Sequence, residues 1–289
     1  MNLKDAQIMT AMVTPFDEDD KVSVTRLENL IEHLLKTGTQ ALLVCGTTGE
    51  APTLSLEEKE TIIKNSVNIA ANRVPMIVGT GSNNTKQTIE YTNQVAKIKG
   101  VTAALVVVPY YNKPNQDGMV AHFTAVADVS ELPILIYNIP SRTGVSMEVN
   151  TIAKLAKHPN IIGIKDCTGN VNLAKIVANT PKDFLVYTGE DENALLAKQI
   201  GATGVISVAS HIYGEQMTKM YQATTSDPKL AAQIMRDLTP KMEALFSLPS
   251  PGPIKAALNH QKIAVGALRL PLLSLDQNQA QILFEKLEI

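Results

Sequence analysis

Tryptophan is absent from this 289-residue chain, aromatic residues make up only 4% of it, and cysteine occurs twice. Cys45 and Cys167 give no disulfide framework of the kind that staples small secreted domains, so a reducing, cytoplasmic compartment is expected. No apolar run approaches the length of a bilayer span, and no membrane is expected as a partner. Neither charge dominates: 26 Lys and Arg stand against 28 Asp and Glu, for a net charge of -2. That balance offers nothing to attract nucleic acid or an anionic membrane surface. The opening Met1-Asn2-Leu3-Lys4-Asp5 lacks the basic-then-apolar order of a signal peptide. No Walker motif and no GxGxxG occur, which argues against a nucleotide ligand. His33, His122, His158, His211 and His260 are scattered without paired-ligand spacing, so no metal site is expected.

What the chain does contain is rhythm. It is 45% hydrophobic and 19% charged, an ordinary globular composition. Short aliphatic runs occupy residues 9–13, 41–45, 76–79, 104–108, 134–137, 161–165, 184–187 and 204–208. These eight runs lie roughly 20 to 35 residues apart, the spacing of βα units. Between several of them the apolar residues recur at helical spacing, as with Leu27, Leu30, Ile31 and Leu34. Ser55 and Glu58 form a capping box ahead of Ile62 and Ile63. Helices are also expected over 84–97, 150–156 and 193–200. Strands that are nearly continuously apolar are covered on both faces, which indicates a parallel sheet. Eight such units favour a closed (β/α)8 TIM barrel over an open doubly wound sheet.

After residue 208 the pattern turns all-helical, with candidates at 216–223, 230–246, 254–259 and 277–287. Pro249, Pro251 and Pro253 interrupt them as a rigid turn. The expected organisation is a catalytic barrel over residues 1–214 and a C-terminal helical extension over 215–289 packed on it.

Lys165 stands out because it ends the apolar run Ile161-Ile162-Gly163-Ile164-Lys165. A lysine that merely ends a strand and reaches for water is the common occurrence. A buried amine instead loses the solvation of its charged form, and a neutral lysine is a nucleophile towards carbonyls. Strand alternation puts Lys165 on one face with Gly163 and Ile161, and Gly163 would leave room beside the amine. In a barrel the chemistry lies at the C-terminal ends of the strands. Gathered there are Gly46-Thr47-Thr48-Gly49-Glu50, Pro109-Tyr110-Tyr111-Asn112, Tyr137 to Gly144, Lys165, Gly189-Glu190 and Ser207. Neighbouring strands lie about 4.8 Å apart, so Tyr137 and Lys165 can touch. That pair supplies an amine nucleophile and a phenolic acid or base. The Gly46–Gly49 stretch reads either as a carboxylate-binding nest or as a plain tight turn into a helix. Arg142 reads either as a bidentate carboxylate anchor or as a surface charge. Cys45 and Cys167 read as small buried hydrophobes.

Gly46-Thr47-Thr48-Gly49-Glu50, Tyr137-Asn138-Ile139-Pro140 and Gly163-Ile164-Lys165-Asp166 resemble, in order and spacing, the motifs of the pyruvate-dependent class I aldolases. That family is typified by dihydrodipicolinate synthase and N-acetylneuraminate lyase, and the resemblance runs over nearly the whole chain. Thr47-Thr48, Pro109 to Asn112 and Ser141-Arg142-Thr143-Gly144 resemble the synthase branch. The lyase branch usually has serine at position 47 and lacks the arginine motif.

The resemblance implies that Lys165 forms a Schiff base with pyruvate, and that Tyr137, Thr47 and Tyr111 form a proton relay. It implies that Tyr111 acts across the interface of a tight dimer, in a homodimer or a homotetramer built as a dimer of dimers. Thr48 would hold the pyruvate carboxylate, and Arg142 the carboxylate of L-aspartate 4-semialdehyde. Gly189 would line the pocket, and the carbonyl of Ile206 would lie close to pyruvate. No separate cofactor is implied, because the covalent link is to the substrate itself. The implied product is 4-hydroxy-tetrahydrodipicolinate, on the route to diaminopimelate and lysine.

Lysine-responsive members of the family place histidine where this chain has Lys59 and glutamate where it has Gln87; Asn83 and Tyr110 are retained. Lysine inhibition is therefore expected to be weak or absent, since a lysine ligand would meet like charge and no carboxylate at those positions. Ser250 replaces a more usual asparagine, with no expected effect on chemistry. Two rivals have less support: a pyruvate aldolase acting on a sugar acid, against which Arg142 and Thr47 argue, and a non-catalytic binding barrel, which would be expected to have lost Lys165 or a relay hydroxyl.

Overall fold

The computed structural model describes residues 2–289. Each aliphatic run becomes a short strand: β1 Ile8–Ala11, β2 Ala41–Val44, β3 Met76–Gly79, β4 Val101–Val107, β5 Ile134–Asn138, β6 Ile161–Asp166, β7 Leu185–Thr188 and β8 Gly204–Ser207. They pair in chain order, all parallel, and β8 closes on β1. The expected closed barrel is what forms.

Alternation along the strands separates two apolar layers. Met9, Ala11, Leu43, Ile77, Leu105, Leu135, Leu185, Tyr187 and Ile206 pack in the lumen with Tyr137. Ile8, Leu42, Val44, Val78, Val106, Ile136, Ile164 and Val205 pack outward against the helices. The Tyr187 hydroxyl donates towards the carbonyls of Leu3 at 3.1 Å and Ala6 at 2.9 Å, so the segment before β1 plugs the end opposite the strand C-termini.

The barrel helices are α1 Val24–Lys36, α2 Leu56–Ala70, α3 Thr85–Ala96, α4 Gln116–Val129, α5 Pro140–Thr143, α6 Val149–Leu155, α7 Asn170–Asn179, α8 Ala194–Gln199 and α9 Ser210–Ser226. The Ser55 and Glu58 capping box opens α2 with both of its hydrogen bonds. Helices α4 and α7 fall outside the helices expected from sequence. Gly118 and the β-branched Val120, Thr124 and Val126 weaken the local helical signal of α4. Burial of Met119, Phe123 and Val126 and a cap from Asn115 override that weakness.

Beyond α9, α10 Pro228–Ala244, α11 Gly252–His260 and α12 Gln277–Leu287 complete the chain. Tyr213, where α9 kinks, donates its hydroxyl to the carbonyl of Leu287 at 2.8 Å and so fastens the last helix. Pro253 does not interrupt a helix as expected. It sits in the first turn of α11, where its missing N–H has no intrahelical role.

One expected face assignment is corrected. Ile161 packs in the outer layer, not the lumen, because the register between β5 and β6 slips between Ile134↔Ile161 and Leu135↔Gly163. One extra residue in β6 breaks the alternation at that point.

Candidate active site

From Leu135↔Gly163 onward the register is regular and places Tyr137 directly beside Lys165. Lys165 also neighbours Tyr187 of β7. Lys165 Nζ lies 4.5 Å from the centroid of the Tyr137 ring, and both residues are buried. Burial pushes the Tyr137 phenol above its ordinary pKa. The charge of Lys165, then that of Arg142 and a hydrogen bond with Thr47, pull it back down. The result is a phenol kept protonated against the Lys165 side chain, with Thr47 and Arg142 in the same cavity wall.

The next residue on β6 holds the strand end. Asp166 faces outward, and its Oδ1 accepts from Asn138 Nδ2 at 2.8 Å while its Oδ2 accepts from the Thr168 N–H at 3.0 Å. Asn138 in turn accepts from the Met147 N–H at 3.0 Å. Burial raises the Asp166 pKa, and these hydrogen bonds oppose the rise. The lattice leaves Lys165 little freedom in its backbone.

The space beside the amine comes from a different glycine than expected. A Cβ on Gly163 would lie 2.7 Å from Leu135 Cδ2 and overlap the Leu185 carbonyl, so that gap is filled by lumen packing. A Cβ on Gly189 would lie 2.5 Å from Lys165 Cε and overlap Cys167 Sγ. Gly189 therefore makes the room in which the lysine side chain stands. Burial pushes both the Cys45 and the Cys167 thiol up to about 12, which leaves them inert.

The mouth of the barrel opens into a cavity of about 590 Å³ whose walls include Gly46, Thr47, Gly79, Tyr110, Tyr137 and Arg142. Thr48 and Ile206 are buried, and with Lys165 and Gly189 they lie outside that wall. Arg142 is exposed on the short α5, which opens at Pro140 directly after β5. Tyr111 is not brought to the cavity within the single chain. It is 87% exposed, with a φ of 71°, a left-handed conformation that a bulky residue rarely takes. The turn that holds Tyr111 outward is tied by an Asn112 N–H to Tyr110 carbonyl bond of 2.8 Å and by Asn112 Nδ2 to the Asn83 carbonyl at 2.9 Å.

Glu50, which carries no expected role, is the most heavily anchored residue of the Gly46–Glu50 turn. Its Oε1 accepts from Lys255 Nζ at 2.8 Å and its Oε2 from the Arg269 N–H at 3.0 Å. Lys255 lies more than 200 positions away in sequence, so no local pattern marks the pair. Among the described residues, no group of three or more His, Cys, Asp or Glu could hold a metal ion, and no helix is long and apolar enough to cross a membrane.

Comparison with known proteins agrees with this geometry. Residues 4–289 match the model of the dihydrodipicolinate synthetase family. A 4-hydroxy-tetrahydrodipicolinate synthase of Ligilactobacillus salivarius is 64% identical, over 100% of both chains. The enzyme of the same name from Enterococcus faecalis is 47% identical, also over 100% of both. Among solved structures, a dihydrodipicolinate synthase of Bacillus anthracis superposes with a TM-score of 0.96 at 40% identity, covering 98% of each chain. One from Cyanidioschyzon merolae, solved with lysine bound, gives 0.95 at 38% identity, covering 99% of this chain and 98% of that one. With its sequence, its closed barrel and its paired Tyr137 and Lys165 all in agreement, the chain belongs to the dihydrodipicolinate synthetase family.

Proposed function

We propose that the chain condenses pyruvate with L-aspartate 4-semialdehyde through a Schiff base on Lys165, giving 4-hydroxy-tetrahydrodipicolinate. The observation that carries this reading is the Tyr137–Lys165 pair: a buried amine 4.5 Å from the ring of a buried phenol, set by strand register. The names borne by close relatives support the choice of substrates.

The amine of Lys165 adds to the pyruvate ketone, and loss of water gives the iminium. The iminium acidifies the pyruvate methyl group. Tyr137, which shares the cavity wall with Thr47, takes up and returns protons at that centre, with Tyr111 of a second copy completing the relay. The 87% exposure of Tyr111 supports a role at a contact between copies. The enamine carbon attacks the aldehyde, forming the new carbon–carbon bond. The amine of the adduct then displaces Lys165 from the imine carbon and closes the ring, returning the lysine free.

Thr48 and its neighbours hold the pyruvate carboxylate. Arg142, at the rim, receives the carboxylate of the aldehyde substrate. Gly189 and the Ile206 carbonyl border the bound pyruvate. The link is to the substrate itself, so the reaction runs without a separate cofactor or metal. We take residues 1–214 as the catalytic barrel and 215–289 as the helical extension packed on it, and the protein as a cytoplasmic homodimer or homotetramer.

The test is borohydride reduction in the presence of pyruvate, followed by peptide mapping. An adduct confined to Lys165 is expected; no adduct, or one on another lysine, overturns the reading. Faster turnover with a sugar-acid substrate than with aspartate semialdehyde would overturn the choice of aldehyde.

A further inference from the structure

Glu50 and Lys255 form an ion pair in the interior, their side chains 1% and 2% exposed. A buried pair is weak evidence for stability, because desolvating both charges offsets their attraction. Its location shows what it does. Glu50 closes the Gly46-Thr47-Thr48-Gly49-Glu50 turn with a φ of 54°, a left-handed conformation that a non-glycine residue adopts only when held.

The turn is fastened from inside by the Glu50 N–H to Thr47 carbonyl bond of 3.1 Å, and at Gly49 by Thr14 Oγ1, 2.6 Å from the Gly49 carbonyl. Its carboxylate, however, is held entirely by the C-terminal extension: Lys255 of α11 on one oxygen and the Arg269 N–H on the other. Lys255 also donates to the Ala267 carbonyl at 2.7 Å, and its Nζ stands 4.3 Å from the Phe16 ring centroid. The Arg269 guanidinium lies 4.2 Å from the same ring, and its Nη1 bonds the Thr53 carbonyl at 3.0 Å and Glu58 at 2.9 Å. The extension thus grips the catalytic turn at Glu50, three residues after Thr47, and again at Thr53 and Glu58.

We propose that Lys255 is a positioning residue for the condensation reaction: through Glu50 it sets the Thr47 hydroxyl and the Thr48 backbone that face pyruvate. This inference rests on the Schiff-base reading above. Without Lys255 the buried Glu50 carboxylate loses its counter-charge and the turn relaxes away from the amine.

The experiment compares wild type with Lys255→Met and Lys255→Arg. Rates are normalised to the number of sites trapped on Lys165 by pyruvate and borohydride, so that unfolded protein does not count. Lys255→Met is expected to raise the pyruvate KM or lower kcat about tenfold or more, the effect of displaced reacting groups. Lys255→Arg keeps the charge and should fall between the two.

A Lys255→Met enzyme whose normalised kcat and KM stay within about twofold of wild type overturns the inference. If Lys255→Met does not fold, the same criteria apply to Lys255→Arg and to the neutral pair Glu50→Gln with Lys255→Met. Failure of wild type itself to trap pyruvate on Lys165 would overturn the functional reading instead, so the two failures are distinguishable.

Discussion

Gly189→Ala adds one methyl group beside Lys165, and the geometry sets the size of its effect. The new Cβ would lie 2.5 Å from Lys165 Cε. Carbon atoms prefer about 3.5 to 4.0 Å, so the lysine side chain must retreat by about 1 Å or more. The backbone φ of Gly189 lies outside the left-handed region, so alanine brings no conformational strain of its own. The atoms in the way are the side chains of Lys165 and Cys167, which can move, so the overpacking cost to stability should be about 1 to 3 kcal/mol.

Activity should suffer more than stability. A displacement of about 1 Å from the reactive geometry costs on the order of 100-fold in rate, equivalent to about 2.7 kcal/mol of barrier. The assay is twofold: steady-state turnover with both substrates, and the rate at which pyruvate is trapped on Lys165 by borohydride. Both should fall, with the melting temperature lowered by only a few degrees. Turnover within about twofold of wild type would refute the claim that Gly189 makes the space for the amine.

Tyr111→Phe removes a hydroxyl without changing the shape that holds the strained φ of 71°. Turnover should drop by about 100-fold or more, as for loss of a proton-transfer group, while pyruvate trapping on Lys165 persists; unchanged turnover removes Tyr111 from the relay. Lysine should inhibit weakly or not at all. Gln87 and Lys59 line the cavity wall, and the carboxylate nearby, Glu90, is exposed and 3.9 Å from Lys86. Half-inhibition at sub-millimolar lysine would refute this. Burial lowers the His122 pKa from 6.5 to about 4. The neutral ring's contribution is therefore complete above about pH 6.5 and is lost as pH falls towards about 4, because the unfolded chain takes up the proton first; the loss is up to about 3 kcal/mol. His122→Leu should flatten the fall in urea stability across that window, and a slope equal to wild type would refute the assignment.

The barrel was legible because each strand is a compact aliphatic run, and eight of them at a regular interval admit few architectures. Tyr137 and Lys165 were legible as neighbours because consecutive parallel strands pair in a barrel. Other features depend on distances that sequence does not carry. The extra residue in β6 shifted Ile161 to the outer layer, since nothing in an unbroken apolar run marks a bulge. Gly163 and Gly189 look alike in sequence, and only the positions of Leu135 and Lys165 show which of them gives the amine its room. Lys255 reads locally as a charge in the α11 helix; its partner lies on the far side of the chain. Helices α4 and α7 were missed because packing, not intrinsic propensity, makes them.

The pairing of Tyr137 with Lys165 is built into the sheet, whereas Arg142 stands on the four-residue α5 that follows it. In the proposed chemistry the donor half belongs to the sheet and the acceptor half to a short segment that follows it. On that proposal, grafting another sequence over residues 139–144 should change which aldehyde is accepted while the pyruvate chemistry stays in place. A lineage, or an engineer, can explore new products here one short loop at a time, without reinventing the carbon nucleophile.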